Sequence, residues 1–429
     1  MKVGILTMFN GLSKTYSLVN VVAEHIRMLL DNGIKVKLLV SQDCNYDERE
    51  GIFLDNRIEW EKVCNRYNGK QIHWFDYNNP SKPIHNTLIQ ESEEIGKDLI
   101  NKLSDVDVCI MHDIFYQGWH LVHNLAVRYA QKQLKNIKFI AMTHSIPDTS
   151  QVDKIVDYPH IARYSSMDNT IFAYPTECGL EALSKQYNVD INKCVAINNT
   201  LDLIEPMSDE IKRINSMVDL LSSDILIVYP ARLTPAKQFE KIAQLGGAIK
   251  RYTGQSIKIV FCEFPSMDID PKEYKDIIIK KGINSGLDIQ DMVFISDLGY
   301  KNGLKREYVL ELFTLSNLFV CPSFSDSFGL TVLEAASRGN FIVLNQAVPA
   351  LEEIGDIVNA YYLRWDARNF FYDTIESYHP NEEAYYRDNA INIINEMKND
   401  RVIRAKIISR IRYSPKWVYE NQLKPLLFD

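Results

Sequence analysis

Short apolar runs rich in β-branched residues alternate with longer helix-compatible stretches along the whole chain. That alternation is the sequence signature of parallel strands joined by crossover helices. The runs fall into two series. Residues 3–8, 35–40, 106–111, 139–142, 170–174 and 194–197 read as strands of one sheet, with an amphipathic helix over 18–32 ending near Gly33. Residues 225–229, 257–262, 292–295, 318–321 and 341–344 read as strands of another, and the stretch around 200–208 divides the two. A barrel would show one evenly spaced series of eight units. Two doubly wound α/β domains fit better: 1–203, 204–405, and a C-terminal helix over 406–429 crossing back onto the first, where Trp417 and Glu420 fall. Residues 45–100 read as a polar, irregular excursion at the rim. In open sheets of this kind ligands sit at the carboxyl ends of the strands. Chemistry is therefore sought in the loops that follow the strands, on a cleft between the two sheets.

Two of those loops carry dense patterns. After the strand at 318–321 comes P-S-F-S-D-S-F-G-L-T-V-L-E-A-A-S-R-G, a polar turn leading into a helix from about Phe328, closed by Gly339. Asp326 or Ser327 suits its N-cap, leaving the amides of Phe328, Gly329 and Leu330 as donors to an anion. Gly329 permits close backbone approach, and Glu334 just inside the helix suits paired hydroxyls such as those of a ribose. The plainer alternative is a capped helix with one solvated acid. After the strand at 225–229 comes Y-P-A-R-L-T-P-A-K. Here Thr234 suits an N-cap and Pro235 the first helical position, so Arg232 and Lys237 flank a helix N-terminus. Guanidinium, ammonium and helix dipole together suit a pyrophosphate; two solvated surface cations are the alternative.

Together these stretches resemble the retaining glycosyltransferases of family 4, two-domain GT-B enzymes that use a nucleotide-sugar donor. The family pattern Arg-Leu-x-x-x-Lys stands here as Arg232-Leu233 with Lys237. Its second pattern stands as Pro322-Ser323, Asp326, Phe328-Gly329-Leu330 and Glu334-Ala335. The resemblance implies that Arg232 and Lys237 hold the donor diphosphate, that Glu334 binds the ribose, and that Asp326 lies beside the donor sugar. Asp326 is one methylene shorter than the family's Glu. Glu263-Phe264-Pro265 replaces an expected glycine-rich turn, Val348-Pro349 stands where Gly-Gly often precedes Glu352, and Gly11 is alone where a glycine pair is common. The amino-terminal match is looser: V-C-I-M-H-D ends in His112 and Asp113, I-A-M-T-H ends in His144, and I-N-N-T-L-D precedes the linker.

His112 follows a strand, so a hydrogen bond to the donor sugar, base catalysis by His112 or Asp113, and a capping His-Asp pair all remain open. Gly11, Asp113 and His144 are the acceptor- or sugar-side candidates. His120 and His123 read as packing or solvent-facing. Phe115, Tyr116 and Trp119 suit stacking on a sugar or a base, or the core. Arg128, Lys132 and Lys135 read as cations complementing a helix C-terminus.

Lys plus Arg total 48 against 56 Asp plus Glu, a net charge of −8, which excludes a polycation. One basic strip interrupts this balance: seven cations lie between 398 and 416, against Asp400 alone. It reads as a solvated helical face, with anionic lipid or a DNA backbone as the alternative. Seven cysteines without a Cys-x-x-Cys pair suit reduced thiols in a cytoplasmic chain. No His-Glu-x-x-His and no apolar run of transmembrane length occurs, so neither metal nor membrane span is expected.

The expected activity is a metal-independent, retaining transfer of a hexose-type sugar from a nucleotide diphosphate sugar, UDP-linked in first place, with no further cofactor. The acceptor is left open among small molecules, glycans, lipid-linked sugars and modified DNA. A nucleotide-sugar epimerase and a non-catalytic nucleotide-sugar-binding protein are the competing readings. The protein is expected in the cytoplasm, or peripheral to a membrane.

Overall fold

A computed structural model describes all residues except 74, 75, 78, 80, 82, 116–119, 267, 268 and 429. The chain divides into two compact units, Met1–Thr200 with Pro415–Asp429, and Leu201–Ser414.

The first unit is built on strands β1 Lys2–Leu6, β2 Lys35–Ser41, β3 Ile58–Val63, β4 Val108–His112, β5 Lys138–Met142, β6 Thr170–Tyr174 and β7 Cys194–Ala196. They form one parallel sheet in the order β3-β2-β1-β4-β5-β6-β7. In the second unit β8 Ile225–Arg232, β9 Ile257–Phe264, β10 Met292–Phe294, β11 Leu318–Cys321, β12 Phe341–Asn345 and β13 Tyr361–Leu363 form another. Its order is β10-β9-β8-β11-β12-β13, again all parallel. Strands covered on both faces must be apolar throughout rather than alternating; Ile225 to Tyr229 are accordingly all buried. Both sheets reverse their winding between the first and fourth strands of the unit, at β1/β4 and β8/β11. This makes each unit Rossmann-like and puts a binding crevice at the carboxyl ends of those strands.

The excursion at 45–100 is more regular than its sequence suggests. It contains edge strand β3, in register with β2 from Val36↔Ile58 to Ser41↔Val63, and the helix Leu88–Leu103. In β3 only Ile58 and Val63 are buried, while Glu59, Glu61 and Lys62 dilute the β signal. The C-terminal segment packs Val418, Tyr419, Leu423 and Leu427 into the apolar layer of Val19, Val22 and Ile26. Asn198 and Gln422 pin it by exchanging hydrogen bonds of 2.8 and 2.7 Å.

Residues 406–414, expected with that returning segment, stay in the second unit. The reason is polar anchoring. The Lys406 ammonium donates to the carbonyls of Phe313 and Arg338, and the buried Arg410 guanidinium to those of Leu315, Ser223 and Asp224. Two of the seven cations of the basic strip are thereby committed to packing. Ser223 and Asp224 immediately precede β8, so the part of the strip around Arg410 lies at the amino edge of this sheet, opposite the carboxyl-end loops.

Candidate functional site

In the second unit, β8 delivers Arg232 as its last residue, exposed and without a hydrogen bond or ion pair among the described residues. The next turn differs from expectation. Thr234 is extended and its side chain caps nothing, Pro235–Lys237 is an isolated 3-10 turn, and the long helix begins only at Phe239. Gln238 separates the two: its backbone is left-handed (φ 48°) and its side-chain amide donates to the carbonyls of Pro322 (2.7 Å) and Asp366 (2.9 Å). Arg232 and Lys237 therefore flank a turn rather than a long helix's N-terminus.

That turn is laced to the loop after β11. The Phe324 amide donates to the Ala236 carbonyl at 2.9 Å, and Lys237 Nζ donates to Ser323 Oγ at 3.0 Å, with Asp326 Oδ2 at 3.8 Å. Lys237, Ser323 and Asp326 thus converge at the β8/β11 switch point, with Arg232 at the end of β8.

Asp326 departs from the sequence reading. Its Oδ1 accepts from the amides of Phe328 (3.0 Å) and Gly329 (2.7 Å), so two of the three amides expected to be open to an anion are already capped. Gly329 is left-handed (φ 80°), a conformation costly for a Cβ-bearing residue, and the short helix Leu330–Ala336 starts after it. The Phe328 and Leu330 side chains are exposed. Glu334 Oε1 is held by Arg306, through Nε at 2.6 Å and Nη2 at 2.5 Å. No local spacing announces Arg306, which lies 28 residues upstream.

Glu263, at the position of the expected glycine-rich turn, is a buried carboxylate with a structural task. It accepts from the Ile295 and Ser296 amides (3.0 and 3.3 Å) and from Ser296 Oγ (2.6 Å), and pairs with Lys275 Nζ at 3.2 Å. It thereby ties the end of β9 to the turn Ile295–Leu298. Beside it Leu233, Phe264, Pro265, Pro271, Lys272 and Lys275 line a recess of about 320 Å³.

In the first unit, β4 ends at His112, which is 1% exposed. His112 Nδ1 lies 2.9 Å from His144 Nε2 and the two rings stack at 5.2 Å, while the His25 ring stands 5.1 Å from His112. His112 Nε2 and both nitrogens of His25 are buried without a hydrogen-bond partner. Burial holds all three neutral: His25 is pushed down to about 4, His144 to about 3, and His112 well below the usual imidazole range, its histidine neighbours adding to the effect. Sequence reasoning missed His25. The signal was a histidine three residues after Val22, on the apolar stripe of helix Ser17–Asp31.

Asp113 is left-handed (φ 59°) and its Oδ1 accepts from the His144 amide at 2.8 Å. Burial raises its pKa to about 6, against the opposing pull of that amide. Gly11 lies in the loop after β1. There Glu48 Oε2 accepts from the Leu12 amide at 3.2 Å, and a Cβ on Gly11 would stand 2.8 Å from the same oxygen.

Other candidates have packing tasks. His123 Nε2 bonds Asn65 Oδ1 at 2.8 Å. Arg128 is no solvated dipole partner: it donates to the carbonyls of Ala162, Ser165 and Ser166 and lies over the buried Phe115 ring. Tyr116 and Trp119 lie outside the described residues. Among the described residues, no group of three His, Cys, Asp or Glu side chains is arranged to hold a metal ion, and no helix is long and apolar enough to cross a membrane.

Residues 213–364 match the family model of the glycosyl transferases group 1. The matched stretch contains Arg232, Lys237, Asp326 and Glu334, and the match supports a transferase of the glycosyl class. No curated protein sequence matches the chain. Among solved structures the chain is similar to a glycosyltransferase from Rickettsia africae ESF-5 (13% identity, 99% of this chain and 97% of that one, TM-score 0.34). It is likewise similar to Anabaena Alr3699/HepE in complex with UDP and glucose (12% identity, 99% of each chain, TM-score 0.36). A third is sucrose-phosphate synthase from Thermosynechococcus elongatus (14% identity, 100% and 99%, TM-score 0.35).

Proposed function

We propose that the chain is a retaining glycosyltransferase that moves a hexose-type sugar from a nucleotide diphosphate sugar, UDP-linked in first place, to a hydroxyl acceptor without a metal ion. The observation that carries this reading is the meeting of Lys237, Ser323 and Asp326 at the β8/β11 switch point, with Arg232 exposed at the end of β8, inside the matched stretch. In this reading Arg232 and Lys237 neutralise the departing diphosphate, where negative charge develops. Glu334, steadied by Arg306, takes the ribose hydroxyls through its second oxygen, and the recess beside Phe264 takes the base. Asp326 gives up the Phe328 and Gly329 amides to the diphosphate and turns toward the sugar. His112, Asp113, His144 and Gly11 are assigned the sugar and acceptor side.

The test is stabilisation of the full chain by UDP, GDP, ADP, dTDP and their sugars, with Arg232→Ala and Glu334→Ala as controls. One base raising the melting temperature in the wild type, and in neither variant, supports the donor site. A response to no nucleotide overturns it. Release of the nucleotide dependent on an acceptor then separates transfer from epimerisation and from binding alone.

A further inference from the structure

The strand β13 is followed by a two-stranded hairpin, Ala367–Arg368 against Thr374–Ile375, whose tip presents Phe370, Phe371 and Tyr372 in succession. These side chains are 63%, 86% and 81% exposed, which is where folded chains seldom leave consecutive aromatics. Packing does not explain them. Neither does turn formation: Tyr372 has φ 65°, a conformation that Gly or Asn adopts at lower cost.

The tip is rigid. Asn369 Oδ1 accepts from the amides of Phe371 (2.8 Å) and Asp373 (3.0 Å), the Tyr372 amide donates to the Asn369 carbonyl (3.1 Å), and Asn369 Nδ2 holds the Asp373 carboxylate (3.0 Å). Three of the four amides from 370 to 373 are thus satisfied within the loop. At the hairpin's base the Arg368 amide donates to the Phe324 carbonyl at 2.7 Å, so the tip is fixed to the same carboxyl-end loop that carries Asp326.

We propose that this tip is a bilayer-insertion element, which brings the carboxyl edge of the second unit to a lipid surface. Two arguments favour lipid over a protein partner or a second copy. At these exposures three aromatic side chains offer at most about 600 Å² of contact, short of the roughly 800 Å² per partner of a stable protein interface. A fluid bilayer instead accepts each side chain separately and asks for no complementary groove. The internally satisfied amides also lower the penalty for placing this backbone at the acyl boundary, where its free carbonyls still meet headgroup water. The tip itself, 370–372, is uncharged, so attraction rests on apolar contact. The part of the basic strip around Arg410 lies at the opposite edge of the sheet.

The test is flotation of the full chain with vesicles of POPC and of POPC with POPG, beside Phe370→Ser/Phe371→Ser and Arg404→Glu/Arg412→Glu variants. The wild type is expected to float with both vesicle types. The tip variant should lower the bound-to-free ratio by at least about tenfold with an unchanged melting temperature, since both side chains are exposed. In Phe371→Trp, brominated acyl chains should quench the added emission. No binding to either vesicle overturns the proposal, as does a tip variant that floats like the wild type. Binding confined to POPG vesicles and abolished only by the arginine variant also overturns it, as does a concentration-dependent dimer lost in the tip variant without vesicle binding. None of these outcomes bears on nucleotide binding, so this inference and the donor reading stand or fall separately.

Discussion

Removing the Asp326 carboxylate should release two backbone amides at the switch point, and the size of the effect follows from the contacts. Its Oδ1 receives Phe328 N at 3.0 Å and Gly329 N at 2.7 Å, while Oδ2 lies 3.8 Å from Lys237 Nζ. Bonds to a charged acceptor contribute about 1.5–3 kcal/mol each when buried. The Asp326 side chain keeps 23% of its exposure, so the lower scale of a helix-cap loss, about 1.5 kcal/mol in all, is the appropriate one. Asp326→Asn keeps an oxygen for both amides and loses chiefly the charge opposite Lys237, worth about 0.5 kcal/mol at a partly exposed pair. For a unit of this size the melting temperature moves about 2–4 °C per kcal/mol. Asp326→Ala should therefore lower the second unit's transition by about 3–6 °C, and Asp326→Asn by about 1–2 °C. Amide hydrogen exchange gives the local reading: Phe328 and Gly329 should exchange about tenfold faster in Asp326→Ala, and added pyrophosphate should restore their protection if an anion takes over those donors. Unchanged exchange at both amides, or an Asn variant as unstable as the Ala variant, would refute the capping argument.

Asp113, raised to about 6, keeps its proton in the folded chain between about pH 4 and 6 while the unfolded chain gives it up. Stability therefore falls by up to about 3 kcal/mol as pH rises through that window and is flat above it. Asp113→Asn should remove the slope, read as the urea midpoint against pH; an identical slope in the variant would sink the idea. His25, lowered to about 4, has the opposite sign: the unfolded chain takes up a proton first as pH falls below about 6.5, so stability is lost toward pH 4. His25→Leu should be more stable than the wild type by about 2 kcal/mol at pH 5 and near parity at pH 8. Gly247→Ala would set a Cβ 2.7 Å from the Ser285 backbone carbon, forcing apart the helices Phe239–Thr253 and Pro271–Ser285. A loss of about 1–3 kcal/mol in denaturant unfolding is expected. Arg410→Met strands three carbonyls, at about 1–3 kcal/mol for each left unsatisfied, and should cost about 3–5 kcal/mol in all, whereas Arg404→Met on the exposed face should stay within about 0.5 kcal/mol; equal effects would contradict the anchoring role.

What local pattern controls was legible from the chain alone. Ile225–Tyr229 and Leu318–Cys321 are apolar throughout because strands covered on both faces have no solvent side, and that continuity marks them without tertiary information. The two strand series, the linker near 200 and the polar turns that carry Lys237 and Asp326 follow from periodicity and turn chemistry in the same way. The edge strand Ile58–Val63 did not, since one covered face leaves room for Glu59, Glu61 and Lys62 and blurs the apolar run.

The tertiary structure alone decided who meets whom. Asp326 takes two amides that a helix N-terminus would otherwise leave open. Arg306 reaches Glu334 across 28 residues, and His25 and His144 close on His112 from different elements. Of two members of a solvent-facing strip by sequence, Arg410 is buried and Lys406 half-buried, because backbone carbonyls of the loops around Ser223, Phe313 and Leu315 take their donors. Hydrophobic periodicity is a property of neighbours along the chain. Hydrogen bonds and ion pairs belong to neighbours in space, and with a carboxylate, a guanidinium and an imidazole each able to serve several partners, spacing in the sequence cannot choose among them.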